Sequence, residues 1–362
     1  MMRLLSLLAV VVLAAGHPIA AQQPGAKAPL RVALIKQPFV PNGTSTGPDT
    51  MAGGGLQDAL RTLGAEVVVE NIALTPEQEP EYGGWKRLSY ALGHLGRAVS
   101  RHEREGALTV GLLGTCPSLP GMLAGLQRSG PTLEPLRIGL LWLDAHPDFN
   151  TPETTRSGSL GGMPVAVATG RALQGMRLDA GLDPPLADRF VVMGGVRLTD
   201  PLEQHLLDQS GIEQLSVDDL RTLSPAVTVQ LDRLNRIADK IYVHIDMDVL
   251  DPREVMGHGN KVPNGPSSEE LARLFEMIFA RYDKARAIGF ATIPGRDEGG
   301  LSLAAVHRMI LGAARGVSRR NAGGAEDTDK APAFLRAGRV DSPYHVAVSR
   351  HAFSFTATER HH

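Results

Sequence analysis

From residue 30 onward, short runs of consecutive apolar residues alternate with longer stretches in which apolar residues recur at helical spacing. Residues 31–35, 66–70, 108–113, 136–143, 190–193, 241–245 and 287–290 read as strands, and residues 56–63, 85–102 and 303–317 as helices. Most strand runs are apolar throughout rather than alternating, and in 136–143 Arg137 is the one charged residue. A strand without a polar face needs cover on both sides, which is the pattern of a mainly parallel sheet with helices on each face. The expected architecture is one three-layer α/β/α domain of about eight strands over residues 30–318. In such sheets ligands bind beyond the carboxyl ends of the strands.

The ends of the chain break this pattern. Arg3, an apolar run over residues 4–15 and Ile19-Ala20-Ala21 before Gln22 read as a signal peptide over residues 1–21. The run is too short to span a bilayer comfortably, although an uncleaved N-terminal anchor is the alternative. Residues 22–29 form a polar linker. Residues 319–362 form a tail without clear periodicity, polar over 321–330, and its closing His361 and His362 carry no ligand pattern. The expected destination is the periplasm or the exterior of the cell, with no membrane contact after cleavage.

Composition narrows the partners. A net charge of −2 over 362 residues gives no electrostatic reason to bind nucleic acid or an anionic membrane. The 43% of hydrophobic residues suffices for a large core, built from aliphatic side chains because aromatics make up 4%. A single cysteine, Cys116, excludes an intramolecular disulfide despite the expected export. A lone thiol in an oxidising compartment is a liability unless it is buried or bound.

The chemistry concentrates at two strand ends. Asp144, His146 and Asp148 stand at i, i+2 and i+4, which sends all three side chains to one side of an extended segment. Asp246 and Asp248 repeat that spacing at the end of another strand. A single Asp at a strand end usually orders a turn or caps a helix. Four carboxylates facing one another repel strongly at low dielectric, and divalent cations are the natural neutraliser. Carboxylate with imidazole suits Mn²⁺ better than a structural Zn²⁺.

The stretch from Asp144 through Asn150, Thr155 and Ser157 resembles the central motif of the arginase family. The stretch His244-Ile245-Asp246-Met247-Asp248 through Pro252 resembles its second metal motif. Gly47-Pro48 through Gly55-Leu56 and Gly195 through Pro201 resemble further family segments, so that most of residues 30–318 matches in order. The resemblance implies two Mn²⁺ ions and a metal-bridging hydroxide that attacks an amidine or guanidine carbon. It implies that Asp144 and Asp246 bridge the ions, that Asp148 completes one site with Cys116, and that His146 and Asp248 complete the other. Asp248 would also help move protons beside the reacting water. Asn150, Thr155 and Ser157 match positions that hold a substrate carboxylate. Asp200 matches a position facing the α-amino group, and Glu203 follows at the family's distance. Each also has a plain structural reading: loop ordering for the first three, and a turn or helix cap for Asp200. A trimer or hexamer is the commonly found assembly.

Three positions depart from the family pattern. Cys116 replaces a histidine ligand, either as a softer metal ligand or as a buried apolar thiol, which leaves one Mn²⁺ per subunit as the alternative to two. A branch of the family that acts on N-hydroxyarginine also has Cys there. Gly161 stands where a proton-shuttling histidine is usual, leaving His258 and His244 as catalytic candidates, each also readable as structural. Ala291 stands where a carboxylate grips the guanidinium group, with Asp297 and Glu298 as replacements from the next loop or as members of a solvated turn. The leading expectation is therefore a metal-dependent hydrolase of linear amidines acting on an arginine or N-hydroxyarginine-like substrate. A non-catalytic metal- and amino-acid-binding protein on the same scaffold is one alternative. An amidine hydrolase of the agmatinase or formimino type is another.

Overall fold

A computed structural model describes residues 29–323, with Glu298 described by its backbone alone. The export segment, nearly all of the linker and nearly all of the tail lie outside the described residues. The central sheet has eight strands: β1 (Leu30–Gln37), β2 (Ala65–Asn71), β3 (Leu108–Leu113), β4 (Ile138–Leu143), β5 (Val191–Gly194), β6 (Glu213–Leu215), β7 (Lys240–Asp246) and β8 (Ala285–Ala291). Their spatial order is β2-β1-β3-β8-β7-β4-β5-β6. Every pairing in this sheet is parallel. A separate two-residue hairpin pairs Phe39–Val40 with Gly43–Thr44.

Burial follows the strand composition. All six residues of β3 and all six of β4 are buried. The edge strand β2 keeps only Ala65 buried and leaves Val68 and Val69 exposed. Strand β6 is three residues long, and two of them are exposed polar side chains. It has no apolar run, which is why periodicity resolves seven strands and leaves the eighth unplaced. Two cores flank the sheet. One packs the helices Ser268–Arg281 and Leu301–Asn321 against one face. The other packs Gly84–Arg104 and Leu119–Gln127 against the opposite face. Helix Ser268–Arg281 starts where a capping box predicts: the Glu270 amide donates to Ser267 Oγ and the Ser267 amide to the Glu270 carboxylate. Helix Leu301–Asn321 runs past residue 318, where the apolar period fades, because its last turn is carried by Arg319 and Arg320 rather than by apolar side chains. Among the described residues, no helix is long and apolar enough to cross a membrane.

What matters for function is which carboxyl ends lie side by side. Strands β3, β8, β7 and β4 are consecutive at the centre of the sheet. Adjacent strands are about 4.8 Å apart, so residues just beyond four such ends share a patch small enough to converge on one point. Cys116 follows β3, Asp144 and His146 follow β4, Asp246 ends β7 and Thr292 follows β8.

Candidate metal centre

Three overlapping donor sets meet there. Ligand atoms of Cys116, Asp144 and Asp246 lie within 4.8 Å of one another, as do those of Asp144, His146 and Asp248, and those of Asp246, Asp248 and His258. Asp144, Asp246 and Asp248 each belong to two of the sets, so the three carboxylates tie the sets into one centre. Asp148 lines the same cavity and is buried, but it joins none of these sets. Its backbone takes the left-handed conformation at φ 48°, which an Asp tolerates better than most side chains.

Backbone amides hold the carboxylates. Asp144 Oδ1 accepts the His146 amide at 2.7 Å, Asp248 Oδ1 accepts that of Ala145 at 3.2 Å, and Asp246 Oδ1 accepts that of Asp248 at 2.9 Å. The spacing of two residues read from the sequence is therefore a tight turn in which the first Asp caps the second residue's amide. Thr292 adds a hydroxyl donor to Asp246 Oδ1. Thr292 is β-branched and sits at φ 62°, a costly conformation. Arg197 stabilises the β7 turn from outside: its guanidinium donates to the carbonyls of Asp248 at 3.1 Å, Val262 at 2.9 Å and Pro263 at 2.9 Å.

The electrostatics call for cations. Burial, then the neighbouring carboxylates, push Asp144 and Asp148 well above the usual carboxylate range and push Asp246 up. Burial acts on Asp248 in the same sense, but the His146 ring, with Nδ1 at 3.2 Å, outweighs it and holds that carboxyl low. Asp144 Oδ2 is buried without a hydrogen-bond partner. An orphaned carboxylate oxygen costs free energy unless something positive faces it. An oxygen-rich donor set with two imidazoles, one thiol and an unsatisfied oxygen fits divalent metal ions.

The sequence-derived substrate residues divide. Asn150, Ser157, Asp200 and Glu203 line a cavity of ≈ 450 Å³ above the donors, a size typical of small-molecule sites. Thr155 stands beside it, 3.5 Å from the Ser157 hydroxyl, and accepts the Gly158 amide. Glu203 has both carboxylate oxygens occupied: it accepts the Phe149 amide at 2.8 Å and the Asp200 amide at 3.3 Å. It thus tethers the loop of the first motif to the helix Pro201–Asp208.

Of the histidines, His258 lines the cavity, with Nε2 3.8 Å from Asp246 Oδ1 and Nδ1 accepting the Asn260 amide. His244 does not face the cavity. It is fully buried behind Cys116, with Nε2 3.5 Å from Sγ. That position gives it no path to substrate, which removes it from the proton-shuttle role set out for it above. Asp297 is likewise occupied: its carboxylate accepts the amides of Ser302 at 2.8 Å and Leu303 at 2.9 Å, as a helix cap. It is unavailable to grip a guanidinium group. Ala291 is completely buried at the end of β8, in register with Asp246. Gly161 lies in the cavity wall, where an added side chain would meet Ser159 Oγ.

Thr115, Asn260 and Thr292 also line the cavity and were not read from the sequence. Thr292 carried a usable signal, as a polar residue immediately past an apolar strand. Thr115 and Asn260 carried none.

Comparison with known proteins gives one consistent picture. The sequence pattern of the arginase family matches residues 41–293. An arginase from Agrobacterium fabrum is 33% identical over 249 residues, covering 65% of this chain and 74% of its own. An arginase from Brucella suis is 32% identical over 251 residues, covering 65% and 79%. Among solved structures, the Bacillus caldovelox arginase superimposes with a TM-score of 0.67 at 23% identity, covering 80% of this chain and 99% of its own. A formimidoylglutamase from Bacillus subtilis superimposes with a TM-score of 0.59 at 18% identity, covering 82% and 90%. The two structural likenesses establish the α/β fold. The extent of the family match, together with two donor motifs that converge in space, establishes that this chain belongs to the arginase family and is a hydrolase of the ureohydrolase type, acting on C–N bonds.

Proposed function

We propose that the chain hydrolyses the guanidino C–N bond of an arginine-like amino acid, with Mn²⁺ as the first ion to test and L-arginine and N-hydroxyarginine as the first substrates. The observation that carries this reading is the convergence of Cys116, Asp144, His146, Asp246 and Asp248 beneath a cavity lined by Asn150, Ser157 and Asp200. Metal ions bound by those donors would activate water and polarise the reacting group.

The remaining steps belong to the chain's own residues. Asn150 and Ser157 would orient the carboxylate end of the substrate, and Asp200 its amino group. His258 accepts the Asn260 amide at Nδ1, so its neutral ring carries the proton on Nε2, the nitrogen turned toward the Asp246 side of the centre. That proton is placed to reach a departing nitrogen. With Ala291 in place of an acidic side chain at the end of β8, the guanidinium group lacks an ion pair from that strand. A hydroxyguanidine is less basic than a guanidine and loses less from this, which favours N-hydroxyarginine over arginine.

The test is to load the protein with Mn²⁺, confirm the metal content, and assay arginine, N-hydroxyarginine, agmatine and formimidoylglutamate for urea, hydroxyurea, formamide and amine products. Turnover of N-hydroxyarginine above arginine supports the proposal. Turnover confined to formimidoylglutamate or agmatine moves the chain to the other amidine class. Binding of amino acids without any turnover leaves a binding protein on the same scaffold.

A further inference from the structure

A column of three buried rings stands directly behind Cys116. The Trp142 and His244 rings stack with centroids 4.4 Å apart and planes 8° from parallel, as their register across β4 and β7 requires. Tyr242, two residues before His244 on β7, brings its hydroxyl within 2.9 Å of His244 Nδ1. All three side chains are at 0% exposure. Gly289, opposite His244 on β8, gives the column its room, because a Cβ there would overlap the Tyr242 hydroxyl. An aliphatic core of this kind has no packing reason to bury an imidazole and a phenol. Unpaired, each would carry the full desolvation penalty of its polar group.

The direction of the hydrogen bonds follows from the far end. Asp246 takes the role of acceptor throughout, from the Asp248 amide, the Thr292 hydroxyl and, at Oδ2, the Cys116 thiol at 2.9 Å. The thiol therefore donates to Asp246, leaving Sγ to accept from His244 Nε2–H at 3.5 Å. With its proton on Nε2, the His244 ring accepts at Nδ1 from the Tyr242 hydroxyl. The chain runs Tyr242 to His244 to Cys116 to Asp246, every donor pointing toward the centre.

We propose that the Trp142–His244–Tyr242 column is a positioning device that fixes Cys116 as a sulfur ligand and makes its half of the centre selective for a thiophilic divalent ion such as Co²⁺ over Mn²⁺. This rests on the reading of Cys116, Asp144 and Asp246 as metal donors. On metal entry the S–H bond is replaced by a sulfur–metal bond and the proton leaves to solvent. The Nε2–H bond to sulfur then becomes charge-assisted and holds the sulfur in place. Groups that orient a metal ligand in this way change metal affinity by about 10–100-fold when removed. Sulfur favours the softer ion, whereas the set of Asp144, His146 and Asp248 offers only oxygen and nitrogen.

The experiment is a Co²⁺ titration of the full chain, following the sulfur-to-cobalt charge-transfer band and bound metal, with Mn²⁺ as competitor. Variants are Tyr242→Phe, His244→Phe, His244→Gln and Cys116→Ala. The wild type is expected to show the band and to prefer Co²⁺ by a wider margin than Cys116→Ala, which should lose the band. His244→Phe should weaken Co²⁺ binding about 10–100-fold and shift the band while leaving Mn²⁺ binding nearly unchanged. Tyr242→Phe should do the same to a smaller degree, and His244→Gln, which keeps an N–H donor, should recover part of the loss. Tyr242→Phe keeps the ring in place and supplies the answer if His244→Phe does not fold. A wild-type band that stays unchanged in affinity and position in Tyr242→Phe and both His244 variants overturns the column's role and leaves the metal reading intact. Cobalt bound without a charge-transfer band overturns Cys116 as a ligand. No cobalt or manganese bound at all overturns the metal reading and this inference together.

Discussion

Burial of His244 makes a prediction that can be worked through in numbers. The imidazole is fully enclosed, and burial alone lowers its pKa from 6.5 to about 3. In the unfolded chain it titrates normally. Between these values the unfolded state binds a proton that the folded state refuses, so folding loses stability as the pH falls. The contribution is complete above pH 6.5 and is lost progressively down to about pH 3. Each pH unit inside the window costs about 1.4 kcal/mol, and the interval from pH 7 to pH 5 comes to about 2 kcal/mol. Against a typical stability of about 5–15 kcal/mol this is a large change. The assay is urea unfolding of the metal-free protein at several pH values, for wild type and His244→Gln. Trp142 lies against the ring and provides a fluorescence signal from the same spot. Other titrating groups act in both proteins, so the difference between the two curves isolates His244. Wild type should lose about 2 kcal/mol more than the variant from pH 7 to pH 5. Parallel curves would refute the buried, neutral imidazole and with it the hydrogen-bond direction assigned to the column.

Metal removal should destabilise the protein: at an ion concentration 100-fold above Kd the bound form gains about 2.7 kcal/mol, readable as a Tm drop on chelation. In the metal-free form the raised carboxyls of Asp144, Asp148 and Asp246 act opposite to His244. Their protons are held by the folded state, so they cost stability as the pH rises above about 4. The gain from added metal should therefore grow from pH 5 to pH 8, and a gain independent of pH would contradict the donor assignment. Gly161→His places an imidazole in the cavity wall and should raise kcat on arginine, with about 10²-fold as the low end for a proton-transfer group, measured as urea release. Arg197→Ala removes the donor to three loop carbonyls and should cost about 3 kcal/mol in chemical denaturation and weaken metal binding, because the turn that presents Asp248 loosens.

The apolar runs of β3, β4, β7 and β8 announced a doubly covered parallel sheet, and parallel strands put their carboxyl ends on one edge. Asp144, His146, Asp246 and Asp248 were legible as polar residues two apart just past apolar strands, although a tight turn rather than extended backbone brings each pair together. Cys116 was legible through its place in the family pattern. These are local properties, fixed within a few residues of each strand. What each side chain does was settled by partners far along the chain. His244 meets Cys116, 128 residues away, only because β7 lies one strand from β3 across β8. Glu203 carries the same charge as the metal donors, yet the Phe149 amide, 54 residues away, claims one of its oxygens, whereas Asp297 is claimed locally, by the amides of Ser302 and Leu303. Strand β6 has no pattern of its own and is a strand because β5 offers it an edge. Sequence periodicity states which side of an element is apolar. The register between elements decides which polar groups meet, and that register exists only in the folded sheet.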